Sequence, residues 1–362
     1  MSDSGEDYDD GNEEEVMEPL TFSMQKAAVV HRRESEMNGD ILVEELVRSP
    51  SDKSGVIVRR MRFLSNLELE QTEVRLIKVL RSDAPKKKLP GSARDRAATR
   101  TRPPKPVLKA DSTYLPYECL QGMLISIPLL PDWERKEVPD HDDRAFSVRE
   151  KLEVLIIGLA GGMLPRFLRF NFPNTSVDCV ELDPVVVDVA REYFGFEPDE
   201  KLHVHVADGV EFIEKAPEDS YDIVIIDANA VEEDKTLEAP PPGFITHACL
   251  ANCAKVLRPG GIMTMNVLCS SPTYFQSILD KIKDAFFGRI CFLKDQAEDA
   301  DENYVVFALN HDAQTWPPSR EELSRRLTVL EKQTPPLVAL ELQARVANHF
   351  WDGSGRSEGV EG

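Results

Sequence analysis

From residue 151 onward, five short runs rich in Val, Ile and Leu alternate with stretches of helical periodicity. They read "LEVLIIG", "SVDCVEL", "LHVHVAD", "YDIVIID" and "GIMTMNVL". A run that is apolar throughout is buried on both faces, and parallel strands need a crossover, usually a helix, between them. The pattern therefore predicts an α/β domain over 151–350: a Rossmann-like, doubly wound, mostly parallel sheet with helices on both faces. Two later runs, "RICFLK" and "NYVVFALN", predict a hairpin across the acidic loop 295–302. The stretch 318–350 reads as helix, and the Gly- and Ser-rich end, 351–362, as a disordered tail.

Upstream of 151 the periodicity changes. "GDILVEELV", "GVIVRRMRFLSN" and "EQTEVRLIKVL" predict strands of a small β-rich cap over 41–111. Residues 1–18 hold nine acids and no base, so 1–40 is expected to be a disordered acidic tail. Residues 81–109 carry ten Lys or Arg against two Asp, with prolines at 85, 90, 103, 104 and 106. No apolar period survives such a stretch, which predicts a flexible, solvated basic insertion in preference to a contact for RNA or an acidic partner. "STYLPYECLQGMLISIPLL" (112–130) has helical spacing, with Asp111 or Ser112 as its cap, and 131–150 is an acidic connector.

Charge and cysteine usage narrow the function. With 64 acids against 43 bases the net charge is -21, which argues against general nucleic-acid binding and favours neutral or basic partners. The six cysteines form no CxxC pair. Cys249 and Cys253 lie four apart without a histidine or a second pair to complete a zinc set. No metal is expected. Reduced core cysteines suit a cytoplasmic protein, as does the lack of a signal-peptide pattern. No apolar run approaches the ~20 residues of a membrane helix.

The chemistry gathers at the carboxyl ends of the predicted strands. The first ends in "IIGLAGG", with Gly158, Ala160, Gly161 and Gly162 before a helix whose amides point at the turn. Glu181, followed by Leu182, ends the second strand, about the ~20 residues after Gly158 at which an acid accepts hydrogen bonds from ribose hydroxyls. Asp208 and Gly209 follow the third strand, and Asp227 ends the fourth. Singly, Asp208 and Asp227 read as helix caps. Together with Gly158 and Glu181 they predict a nucleoside-type cofactor site along one sheet edge. A dinucleotide prefers a GxGxxG turn, whereas this turn is GxAGG, and Asp208 suits an adenine amino group. These features favour S-adenosylmethionine.

"VADGVEFI", "YDIVIIDAN" and "VLRPGG" resemble the spermidine-synthase-like branch of class I methyltransferases. More narrowly, 56–310 is similar to the C-terminal domain of the elongation factor 1-alpha lysine and N-terminal methyltransferase family. That likeness rests on "RRMRFLSNLELEQTEVRL", the basic insertion, "YLPYECLQGMLISIPLL", "IIGLAGGMLPRF", "VELDPVVVDVAREYFGF", "HVADGVEFI" and "PPPGFI". It implies methyl transfer from S-adenosylmethionine to an amine of elongation factor 1-alpha, the N-terminal α-amine being favoured. Asp227 would orient the cofactor's amino-acid end or the amine, and Asn229 would offer the amine an amide oxygen.

Three departures qualify the resemblance. Ala160 stands where the family's "GLGGG" turn has glycine, and its methyl is expected to crowd the site. Family members carry a second methyltransferase domain upstream, so its lysine activity is expected to be absent here. Ala230 stands where aminopropyltransferases carry a second acid, which argues against a polyamine synthase. A catalytically inactive methyltransferase fold used for binding is a second alternative, and a nucleic-acid methyltransferase a third, against which "DANA" after the fourth strand, in place of an "NPPY"-type loop, argues.

Overall fold

The computed structural model describes residues 27–47, 56–80, 106–131, 151–230, 236–294, 302–310 and 316–351. The chain opens with an antiparallel sheet of five strands in chain order: β1 (Ala28–Ser35), β2 (Gly39–Val47), β3 (Ile57–Phe63), β4 (Asn66–Leu80) and β5 (Pro106–Ala110). The cap is therefore larger than its three predicted strands. β1 lies inside the stretch expected to be disordered, of which 1–26 is outside the described residues. The acidic run stops at residue 18, and β1 is held by distant partners: it pairs with β2 from Ala28↔Glu45 to Ser35↔Gly39. β5 takes the end of the expected basic insertion and pairs with the far half of β4; 81–105 is outside the described residues.

The helix predicted over 112–130 is two short ones, α1 (Glu118–Met123) and α2 (Ser126–Leu129). Asp111 does not cap a helix. Its Oδ1 accepts from the Thr113 N–H at 2.9 Å, and its Oδ2 accepts from Arg75 of β4. This ion pair with the cap holds the segment in a turn, and Tyr117, at φ 55°, separates it from α1. The acidic connector falls outside the described residues from 132 to 150.

The second sheet is mixed. Its parallel half contains β6 (Glu153–Ile157), β7 (Ser176–Glu181), β8 (Leu202–Val206), β9 (Tyr221–Ile226) and β11 (Leu257–Cys269), in the spatial order β11-β9-β6-β7-β8. All five strands were legible as apolar runs. Antiparallel strands extend the β11 side: β13 (Glu302–Asn310), then β12 (Ile290–Lys294), paired as predicted, then β14 (Phe350–Trp351). A short β10 (Leu237–Ala239) pairs with the end of β11. Neither β10 nor β14 has a run long enough to signal a strand.

Alternate residues of β6 enter two cores. Val154 and Ile156 pack with α1, α2, α3 (Met163–Asn171), α4 (Pro184–Tyr193), α8 (Arg320–Gln333) and α9 (Leu342–His349). Leu155 and Ile157 pack with α5 (Gly209–Lys215), α6 (His247–Val256) and α7 (Pro272–Ala285). Each such buried aliphatic side chain contributes about 1.5–3 kcal/mol, which is why the runs are apolar on both faces. α8 and α9 replace the single helix predicted over 318–350, because Pro335 and Pro336 remove two backbone donors between them. The inner face of the cap, Ile41, Val43, Met61, Val74 and Leu76, joins the first core, so cap and domain share one interior. No helix of the described residues is long and apolar enough to cross a membrane. All six cysteines are free, and five are buried.

Candidate functional site

The strand order reverses at β6: β7 and β8 lie to one side of it, β9 and β11 to the other. Such a switch point opens a crevice at the carboxyl ends of the two central strands, here β6 and β9. Gly158 leaves β6 and Asp227 leaves β9, so this crevice lies between them. The Asp227 N–H donates to the Ile157 carbonyl at 2.9 Å, and the Gly158 N–H donates to the Val180 carbonyl at 2.8 Å. Gly158 has φ 95°, and a Cβ there would sit 2.0 Å from the Asp227 carbonyl oxygen. Only glycine fits this approach.

Ala160 follows at φ 46°, in the left-handed region that glycine adopts freely and alanine only with strain. Gly161 packs so closely on Thr72 of β4 that a Cβ would meet its Cγ2 at 2.5 Å, which places the cap directly over the turn. Gly162 begins α3.

Glu181 braces the loop from the neighbouring strand. The Leu159 N–H donates to its Oε2 at 3.0 Å, and the Asp183 N–H to its Oε1 at 3.0 Å. Burial raises its pKa, and the backbone N–H groups of Asp183, Leu159 and Ala160 pull it back. A carboxylate has about four acceptor positions, so hydrogen-bonding capacity remains on both oxygens. Leu182, 50% exposed, sits beside it at the rim. Asp208 fulfils its helix-cap reading: its Oδ1 accepts from the Val210 and Glu211 N–H groups at 2.8 and 3.0 Å. Gly209 then packs against Ile157 and Phe244.

Asp227 differs from the other acids. Its Oδ1 accepts one side-chain bond, from Asn266 Nδ2 of β11 at 3.1 Å, and burial pushes its carboxyl up to about 6. Asn229, two residues on, is exposed, and its Nδ2 donates to Gln71 Oε1 of β4 at 3.1 Å. Gln71 owes that aim to a β-bulge. Met61 pairs with Thr72 and Arg62 with Glu70, which leaves Gln71 as the extra residue of β4.

Three contributors escaped the sequence reading: Asn266, Gln71 and Asp183. Asn266 had a signal, since it is a polar residue inside the apolar run "GIMTMNVL". Asp183 is buried and caps α4 through the Val185 N–H at 2.8 Å, while Ser35 and Asn38 of the cap also donate to it. No local pattern marks Gln71 or the partners of Asp183, because the bulge and the cap contacts join residues far apart in sequence.

A switch-point crevice with a glycine turn on one strand and acids on its neighbours is the arrangement in which doubly wound α/β folds hold their ligands. Residues 143–310 match the family described as the spermine/spermidine synthase domain. The chain is 31% identical to the human eEF1A lysine and N-terminal methyltransferase over 71% of its own length and 36% of the relative's. It is 28% identical to the mouse protein of that name, over 84% of this chain and 41% of the relative. The chain thus spans about two fifths of the curated relatives it matches. A probable spermidine synthase from Corynebacterium glutamicum shares the fold, with a TM-score of 0.56 over 92% of this chain and 98% of that one at 15% identity.

Proposed function

We propose that the chain is an S-adenosylmethionine-dependent methyltransferase acting on an amine, the N-terminal α-amine of elongation factor 1-alpha. The observation that carries the reading is the meeting of Gly158, Glu181 and Asp227 at the switch point. The fit to the cofactor is chemical: the turn at Gly158 brings bare backbone to the crevice, and Glu181 retains acceptor positions for a ribose diol. Gly158, Ala160, Gly161, Gly162, Glu181, Leu182, Asp208 and Gly209 would hold the nucleoside, with Asp227 at its amino-acid end.

When bound, S-adenosylmethionine would supply a sulfonium methyl, whose transfer to the amine releases a neutral thioether and needs no acid. The protein's task is therefore alignment and exclusion of water. Asp227 faces the crevice as a carboxylate that can accept an N–H of the amine and turn its lone pair toward the methyl. Asn229 sits at the rim, where its amide oxygen is a second acceptor. The amine must arrive neutral, which costs less for an α-amine of pKa ~7.7–8 than for a lysine of ~10.4. The names of the human and mouse relatives support both the reaction and the substrate.

A free-amine peptide from the N-terminus of elongation factor 1-alpha, with labelled methyl donor, tests the reading. Turnover is expected, and acetylation of the α-amine should abolish it. Equal methylation of the acetylated peptide would move the acceptor to a side chain. Ala230, bonded through its N–H to the Glu238 carbonyl at 2.7 Å, offers no carboxylate to a diamine. Putrescine with the decarboxylated cofactor should therefore give no product.

A further inference from the structure

We propose that Asn266 is a positioning residue that keeps the Asp227 carboxylate aimed and charged. The inference rests on the reading of Asp227 as the group that receives the amine. β11 runs parallel to β9 with Met265 opposite Ile226, so the next residue on each side, Asn266 and Asp227, meet at the sheet edge. There the Asn266 Nδ2 donates to Asp227 Oδ1 at 3.1 Å.

A carboxylate only accepts, so the amide must present its NH2 end to Asp227 and turn its oxygen away. Among the described residues that oxygen is buried without a hydrogen-bond partner, on a residue only 6% exposed. An unpaired buried acceptor is costly, and an aliphatic side chain such as Met265 or Val267 on either side would avoid it. The polar group at this strand position is used where it touches Asp227.

The surroundings leave Asp227 dependent on this one donor. Among the described residues, burial and Asn266 alone shift its ionisation, and no charged side chain contributes. Glu181, the next acid along the edge, is engaged with the Leu159 and Asp183 N–H groups. Ile157 and Gly158 present backbone, and Asn229 and Gln71 are neutral and bonded to each other.

The test uses the full chain carrying a 13C label in its aspartate carboxyls, without cofactor or substrate, with Asp227→Asn assigning the signal. Asn266→Leu keeps the side-chain shape and removes the donor. Asn266→Asp keeps the shape and adds a like charge, and Asn266→Ser is a milder truncation should either fail to fold. The Asp227 midpoint is expected to rise by about one pH unit in the leucine variant and further in the aspartate variant. The acid limb of methyl transfer to the free-amine peptide should move up in the same order. A residue that only fills the strand would lower the melting temperature and leave the Asp227 midpoint in place, which would overturn the proposal. A midpoint that moves in an enzyme that methylates no amine would remove the proposed function and leave the role of Asn266 standing.

Discussion

Ala160 and Asp227 are each held in a state they would not choose in isolation. Ala160 occupies the left-handed region at φ 46°. Ala160→Gly should stabilise the fold by about 0.5–1 kcal/mol, the left-handed strain relieved less the added freedom of the unfolded chain. Thermal unfolding reads the first effect, and calorimetric titration should show cofactor binding equal or tighter. Weaker binding would mean that the methyl is part of the pocket wall. For Asp227, burial raises the folded carboxyl to about 6 from 3.8, so the folded state binds its proton more tightly than the unfolded chain does. Stability from this group is fully present below about pH 4 and is lost as pH rises through about 6. Asp227→Asn should therefore melt at a higher temperature than the wild type at pH 7–8, with the gap closing toward pH 4, while methyl transfer falls by at least about 10²-fold. A variant that melts lower at neutral pH would contradict the burial argument.

At the scale of elements, the cap is fastened to the domain at the start of α4. Asp183 caps that helix and accepts from Ser35 and Asn38 around the β1–β2 turn, while Arg33 of β1 reaches Glu192 at the helix's other end. Asp183→Ala removes a cap worth about 1 kcal/mol and strands two donors at about 1–3 kcal/mol each. Denaturant unfolding should register a loss of about 3 kcal/mol. A loss below about 1 kcal/mol would mean that the Asp183 bonds do not fasten the cap. The legibility of elements follows the same division. The central strands β6 and β9 were visible because both of their faces are buried, which writes a continuous apolar run, and β8, half-exposed at the sheet edge, was visible as an alternating one. β1, β5 and β14 were not, because their places depend on partners elsewhere in the chain. Asp111 failed as a predicted cap for a similar reason: Arg75, 36 residues upstream, donates to its carboxylate.

At the scale of the whole molecule, the net charge of -21 should draw in a basic peptide from solution. The acidic stretches that motivate this, 131–150 and 295–302, lie almost wholly outside the described residues. Surface attraction of this kind is screened over ~8 Å at physiological salt. The Michaelis constant for a basic N-terminal peptide should rise with salt, while cofactor affinity stays nearly constant. A salt-independent constant would confine recognition to the crevice. The sequence alone determined the alternation of strand and helix, the glycine turn after β6 and the acids that end the strands. Those features are local, and each follows from burial or backbone geometry within a few residues. The tertiary structure alone decided that Glu181 braces the turn, that a bulge in β4 aims Gln71 at Asn229, and that Asn266 meets Asp227. These contacts lie between side chains from different strands, and their partners are chosen by sheet register and order, which no single segment encodes.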